Sequence, residues 1–374
     1  MKRTLTLLFL LTTTTITFAQ KGIDSIKWTQ KILVQDQPVF SDPKPEAGVN
    51  HQRHAGTYGS EYCRLLRLKD GSWLAGYTIS RNSGYRNDPK GGLELQFSKS
   101  TDDCKTWQAI STITDPGRDL DNAMMIQTPD GAVLLACRSV RWQESYMLPV
   151  YKSTDKGKSW EKLSIIDQTH GKPGELGKPD KGIYEPHFYL LGDGRLAVMY
   201  ANEKHVVENP SYSQIISERV SADMGKTWGD EIFVAHTPGV SASRPGMPVW
   251  TKMKNGRYIA VFEVCGPEGC NIYNKTSDNG TDWPVGIGTR IPDQLGGPFI
   301  LALKSGDLVV TSNSAQVSVS HDFGLTWKKI NPAWDKTLWP SLYEVRKNQV
   351  GAVTSAHRPQ GGNNIKIALG EVGY

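Results

Sequence analysis

Two interleaved repeats and the lack of any helical period after the first nineteen residues predict an all-β chain, folded as a six-bladed β-propeller. The chain has 374 residues, 38% of them hydrophobic, with 37 Gly, 21 Pro and 11 Trp. That composition excludes disorder, collagen and a membrane bundle. The length fits one all-β unit that grows by repetition.

Residues 1–19 read as a signal peptide: Lys2-Arg3, an apolar stretch from Leu5 to Leu11, then Thr17-Phe18-Ala19 before Gln20. Residues 20–374 are expected to form the propeller, exported to the periplasm or the outside of the cell. The apolar stretch is too short to cross a bilayer, so no membrane span is expected. Net charge is +5, or +3 without Lys2 and Arg3, and no basic run interleaves with aromatics. Nucleic acid is therefore excluded as a partner. Five cysteines are too few for a disulfide scaffold, and none has zinc spacing. Cys265 and Cys270 flank Gly-Pro-Glu-Gly and are either bridged or two buried thiols. No phosphate loop, dinucleotide fingerprint or HExxH motif is present, and no cofactor or metal is expected for chemistry.

The first repeat is a hairpin of two apolar strands, A and B, around a tight turn. Its turns are Lys69-Asp70-Gly71, Pro129-Asp130-Gly131, Gly192-Asp193-Gly194, Lys254-Asn255-Gly256, Lys304-Ser305-Gly306 and a worn sixth, Lys347-Asn348-Gln349. Asp-Gly and Asn-Gly between apolar runs are strong hairpin signals. The second repeat is an octapeptide, [ST]-x-D-x-G-x-[STD]-W, at 153–160, 221–228, 276–283 and 320–327, with a copy at 100–107 that has Cys104 for Gly. Asp ties its own turn, Gly supplies positive φ and Trp packs between sheets, so these Asp boxes are architectural. Each hairpin but the last precedes a box. A blade therefore reads A, turn, B, C, box, D, and the sixth closes by pairing C-terminal strands with Ile32-Leu33-Val34.

In such a ring, residues before strand A and after strand B meet at one mouth. Stepping back from the turns finds Glu61 and Arg64, Asp121 and Asn122, Glu185, Arg244, Gly297 and Trp339. Stepping forward about six or seven positions finds Tyr77, Arg138, Tyr200, Glu263, Asn313, and His357 with Arg358. His187 follows Glu185 in Tyr184-Glu185-Pro186-His187. Asp121, Arg138 and Arg358 fit equally an ion-pair network around a water-filled channel. Glu185 and Glu263 point to the same mouth from blades three and four. Two carboxyls in one concave site suit glycoside hydrolysis, one donating a proton and one ionised, with Tyr200, Trp250 and Trp339 available to stack on sugar faces.

Through its five boxes the chain resembles the sialidase superfamily of six-bladed propellers. Sialidases are expected to show an arginine triad, but their first Arg aligns with Glu61, their second with Glu263, and Asn313-Ser314-Ala315-Gln316 offers no third. Where their Tyr would begin a strand stands Trp339-Pro340-Ser341. These inversions would repel a sialate. The chain is more similar to the exo-acting α-1,5-L-arabinanases (glycoside hydrolase family 93), through Asp121-Asn122, Tyr184-Glu185-Pro186 and the segment from Ser243-Arg244-Pro245-Gly246-Met247 to Phe262-Glu263. That resemblance implies Glu185 and Glu263 as the catalytic pair, with Glu263 leaning to nucleophile and Glu185 to acid/base. It also implies a retaining, exo-acting attack on a neutral poly- or oligosaccharide of the α-L-arabinan type. A monomer is expected. Retention expects carboxyls about 5 to 5.5 Å apart, inversion about 6.5 to 9.5 Å. Two other functions fit the same ring: a non-catalytic glycan-binding propeller with both glutamates salt-bridged, and a sialidase-like hydrolase of acidic sugars.

Overall fold

The computed structural model describes residues 22–35, 60–80, 84–85, 88–142, 144–170, 182–240, 242–357 and 363–374. The expected signal peptide at 1–19 and Arg358 lie outside the described residues.

The strands follow the repeats. β1 (Ser25–Gln35) precedes the first blade. Blade I is β2 (Ser60–Arg67), β3 (Trp73–Ile79), β4 (Glu94–Ser100) and β5 (Gln108–Ile113). Blade II is β6 (Asp119–Gln127), β7 (Val133–Arg141), β8 (Ser145–Ser153) and β9 (Glu161–His170). Blade III is β10 (Ile183–Leu190), β11 (Leu196–Asn202), β12 (Ile215–Ser221) and β13 (Ile232–Ala235). Blade IV is β14 (Arg244–Lys252), β15 (Tyr258–Cys265), β16 (Asn271–Ser277) and β17 (Thr289–Leu295). Blade V is β18 (Phe299–Ala302), β19 (Leu308–Thr311), β20 (Val317–Ser320) and β21 (Lys328–Ile330). β22 (Ser341–Arg346), β23 (Gln349–His357) and β24 (Asn363–Gly373) make blade VI, and β1 is its fourth strand. All six sheets are four-stranded and antiparallel in simple order. The pairing runs from Ser25↔Gly373 to Gln35↔Ile365, so the expected closure through residues 32–34 holds and reaches further in both directions. The only helix among the described residues is a 3-10 turn at Lys204–Val207, and none is long and apolar enough to cross a membrane.

The A–B turns take the conformation that their residues allow. Gly71, Gly131, Gly194, Gly256 and Gly306 have φ between 86° and 105°, and the worn sixth turn substitutes Asn348 at 61°. In the box at 153–160, Ser153 Oγ accepts the Gly157 N–H at 2.8 Å and donates to Asp155 Oδ1 at 2.7 Å. Asp155 also accepts the backbone N–H groups of Lys158 and Ser159. Trp160 Nε1 then donates to Ser111 Oγ on the outer strand of blade I, and Trp228 Nε1 to Ser164 Oγ of blade II, so the boxes stitch blades together. Cys104 takes the Gly position of its box at φ 66°. The box in blade IV corrects the expected register: Ser277 and Asn279, not Thr276 and Asp278, tie the turn, while Asp278 pairs with Arg257. That box is one residue shorter, which moves the capping pair along by one.

Apolar residues fill wedges between neighbouring sheets. Leu65, Ala75 and Tyr77 of blade I pack on Val353 and Ile367 of blade VI, and Leu134, Ala136 and Val150 of blade II on Phe188 and Val198 of blade III. The axis is left to polar groups. Cys265 and Cys270 are bridged, and the three free cysteines, Cys63, Cys104 and Cys137, are buried.

Candidate active site

Each blade feeds the mouth from two places. The first is a bulge in strand A, where pairing jumps from Glu61 to Arg64, from Asp121 to Met124, from Tyr184 to His187 and from Gly246 to Val249. At these jumps Tyr62, Asn122, Glu185 and Met247 have φ of 52°, 57°, 60° and 51°; Gly297 and Trp339, both at 49°, hold the same place in blades V and VI. In four blades the next residue is proline (Pro186, Pro248, Pro298, Pro340), which has no N–H for the ladder and favours the break. A left-handed non-glycine residue costs about 1–3 kcal/mol and persists only where its surroundings impose it. Here it turns an N–H toward the mouth. Met247 N–H donates to Glu185 Oε2 at 2.7 Å, Gly297 N–H to Glu263 Oε2 at 2.7 Å, Trp339 N–H to Asn313 Oδ1 at 2.6 Å and Tyr62 N–H to Ser355 Oγ at 3.0 Å.

The second source is strand B. Seven positions past Gly71, Gly131, Gly194, Gly256, Gly306 and Asn348 stand Thr78, Arg138, Ala201, Glu263, Asn313 and Ser355. Because side chains alternate faces, residues six positions on turn the other way, between blades. That corrects Tyr200, which is buried and donates from its hydroxyl to Asp167 Oδ2 on β9 at 2.8 Å, away from any sugar. Tyr77 likewise contacts Ser98 at 2.7 Å. Trp250 is also no sugar platform, being buried with its Nε1 donating to the His187 carbonyl at 3.1 Å.

Glu185 and Glu263 do come together. The point that a Cβ on Gly246 would occupy lies 3.6 Å from Glu185 Oε2 and 3.7 Å from Glu263 Oε1. The two oxygens are therefore no farther apart than those distances laid end to end. Gly246 leaves the gap open. Burial pushes the Glu263 carboxyl above the ordinary range, against the opposing Gly297 N–H and the Arg244 charge. Glu185, by contrast, accepts the Met247 N–H and lies within the field of Arg138.

The remaining predicted residues surround this pair. Asp121, buried, pairs with Arg138 at 2.8 Å and accepts the Thr78 hydroxyl and the Asn122 N–H, both at 2.7 Å. Arg138 stacks over Tyr184. Glu61 and Arg64 are buried at the base of the mouth, with the Arg64 guanidinium 4.1 Å from the Tyr62 ring centre and Nη1 donating to the Trp339 carbonyl. His187 is buried against Phe299; burial, then the Arg64 charge, pushes its pKa down to about 3, so the ring is neutral. Trp339 is half-buried and lies 6.1 Å from the Tyr62 ring. Asn313 is half-buried, and Arg244, 39% exposed, pairs with Glu203 and donates to Gln214 Oε1 at 2.9 Å.

Sequence reasoning missed Tyr62, Gln214 and Glu203. Tyr62 occupies the bulge position of blade I, and burial pushes its hydroxyl up to about 12. The recurring residue-before-proline of strand A would have pointed to that position. Gln214 and Glu203 bracket the blade III loop, where no repeat predicts them. Among the described residues no group of three or more His, Cys, Asp or Glu is placed to hold a metal ion.

Solved structures share this ring. An α-L-arabinofuranosidase of family GH93 from Fusarium graminearum, complexed with arabinobiose, superposes with a TM-score of 0.75 at 21% identity, covering 91% of this chain and 97% of that one. An α-L-arabinanase of Penicillium chrysogenum, also with arabinobiose, gives 0.74 at 20% identity, covering 92% and 98%. The NanB sialidase of Streptococcus pneumoniae gives 0.59 at 12%, covering 90% and 70%. At these identities the likeness establishes the fold. No curated protein matches the sequence. The BNR repeat-like domain family matches residues 93–337, well over half of the chain and spanning all five of its boxes, and the protein belongs to that family.

Proposed function

We propose that the chain is an exo-acting retaining glycosidase for a neutral α-L-arabinan-type poly- or oligosaccharide. The observation that carries this is the facing of Glu185 and Glu263 across Gly246. These distances admit the about 5 to 5.5 Å spacing of retaining pairs, and retention itself is taken from the resemblance to the exo-arabinanases. Glu263, whose proton affinity burial raises, gives its proton to the glycosidic oxygen as that bond to the anomeric carbon breaks. Glu185, which accepts the Met247 N–H and lies within the field of Arg138, attacks the same carbon and forms a glycosyl ester. Glu263 then takes a proton from water, whose oxygen displaces Glu185 and restores both groups. These roles run opposite to the order expected from the sequence, because the burial of Glu263 favours the acid there.

A neutral substrate is supported by the arginines. Arg138 and Arg244 are engaged by Asp121 and Glu203, and Arg64 lies against Tyr62 and Phe299, so none is presented as part of a carboxylate-binding triad. The same pairings weigh against a binding-only propeller, which would spend Arg138 or Arg244 on the glutamates. Export fits a substrate too large to enter a cell. The test is turnover of linear arabinan, debranched arabino-oligosaccharides and a sialoside by wild-type protein and by Glu185→Gln and Glu263→Gln. The reading requires arabinoside release lost in both variants; unchanged turnover in either, or cleavage of the sialoside alone, sinks it.

A further inference from the structure

We infer that Glu203 is a positioning residue for the carboxylate pair: it clamps the segments leading into β10 and β14 together and keeps the Arg244 guanidinium on itself rather than on Glu263. The inference rests on the glycosidase reading above. Glu203 follows β11 directly and is 0% exposed. Its Oε2 accepts the Gly182 N–H at 2.8 Å and the Tyr184 hydroxyl at 3.2 Å, its Oε1 binds Arg244 Nη2, and its own N–H donates to the Gly182 carbonyl at 2.9 Å. Tyr184 immediately precedes Glu185, and Arg244 stands three residues before Met247, the residue whose N–H holds Glu185. One buried anion is thus fastened to both segments that shape the gap. A second tie runs alongside, since Gln214 accepts from Arg244 and donates from Nε2 to the Pro245 carbonyl at 2.7 Å.

The charge matters as well as the geometry. Glu263 is faced by the Arg244 guanidinium from β14, by Glu185 from β10 and by the Gly297 N–H from the turn before β18. Paired with Glu203, Arg244 presents little net charge. Without that partner its full charge acts on Glu263 across a partly desolvated site and favours the ionised form. The acid would then give up its proton at a lower pH.

A substrate-free titration tests this. Protein carrying 5-¹³C-glutamate is followed by NMR, with the Glu263 signal assigned by its loss in Glu263→Gln. The Glu263 midpoint should fall by about one unit, a tenfold loss of proton affinity, in Glu203→Gln, rise in Arg244→Gln, and stay near wild type in Glu203→Asp. An unmoved midpoint in folded Glu203→Gln overturns the inference. If that variant does not fold, an unmoved midpoint in Arg244→Gln does so instead. Parallel assays on arabino-oligosaccharides separate the two readings. Wild-type turnover with an unmoved midpoint overturns this inference alone, whereas the expected shifts without any wild-type turnover uphold the charge coupling and overturn the hydrolase.

Discussion

Glu218 sits on β12 with no exposed surface, its Oε2 accepting the Trp283 Nε1 hydrogen at 2.8 Å and its Oε1 without a hydrogen-bond partner. Burial raises its pKa from 4.5 to about 8, against the opposing Trp283 hydrogen bond and Arg195 charge. The folded chain keeps this proton where the unfolded chain releases it. The stabilisation is therefore complete below about pH 4.5 and is lost as pH rises to about 8, above which the deficit is constant. At about 1.36 kcal/mol per pKa unit the swing is of order 4–5 kcal/mol. Glu218→Gln keeps an acceptor for Trp283 and never ionises. Its melting temperature by differential scanning calorimetry should match wild type at pH 4.5 and exceed it by roughly 5–10 °C at pH 8.5. A variant that melts no higher than wild type at pH 8.5, or higher by the same margin at both pH values, would refute a neutral buried carboxyl at this place.

Gly246→Ala places a methyl 2.7 Å from Gln214 Nε2 and between the two carboxylates; the fold should survive a cost of about 1–3 kcal/mol, while kcat/KM for arabino-oligosaccharides should fall at least about 100-fold. Wild-type-like turnover would show that the gap is not where the sugar reacts. Because Glu263 must be protonated and burial raises its pKa, the alkaline limb of kcat/KM should lie above the ordinary carboxylate range of about 4.3 and disappear in Glu263→Gln. Ser153→Ala removes the acceptor for the Gly157 N–H in a buried box and should lower stability by about 1–3 kcal/mol without altering KM, read by urea denaturation and steady-state kinetics.

The architecture was legible because its signals are short-range. A Gly after Asp or Asn fixes a turn, a Ser-x-Asp-x-Gly box fixes the next one, and six repeats leave few ways to pack. The site was legible only in part. Counting six or seven residues from a turn straddles both faces of a strand, so Glu263 and Asn313 came out at the mouth while Tyr200, one position short, belongs to the wedge between blades. The bulges were invisible to hairpin reasoning, since a left-handed Met247 or Trp339 follows from no propensity of its own, runs against the extended backbone that a following proline favours, and is imposed by its neighbours. Glu203 escaped for another reason: its partners Gly182, Tyr184 and Arg244 are brought to it by tertiary structure alone.

The seam of blade VI has a kinetic meaning. Ile32 pairs with Ile367 and Lys27 with Glu371, so the last ladder to form joins residues that synthesis separates by most of the protein. Until β24 emerges from the ribosome, β1 has no mate and the growing arc offers bare strand edges at both of its ends. Contacts of such long sequence separation make for slow folding and a long window in which those edges can find the wrong partner. Once latched, the same seam means that the ring cannot open between its first and last blades without tearing the β1–β24 ladder.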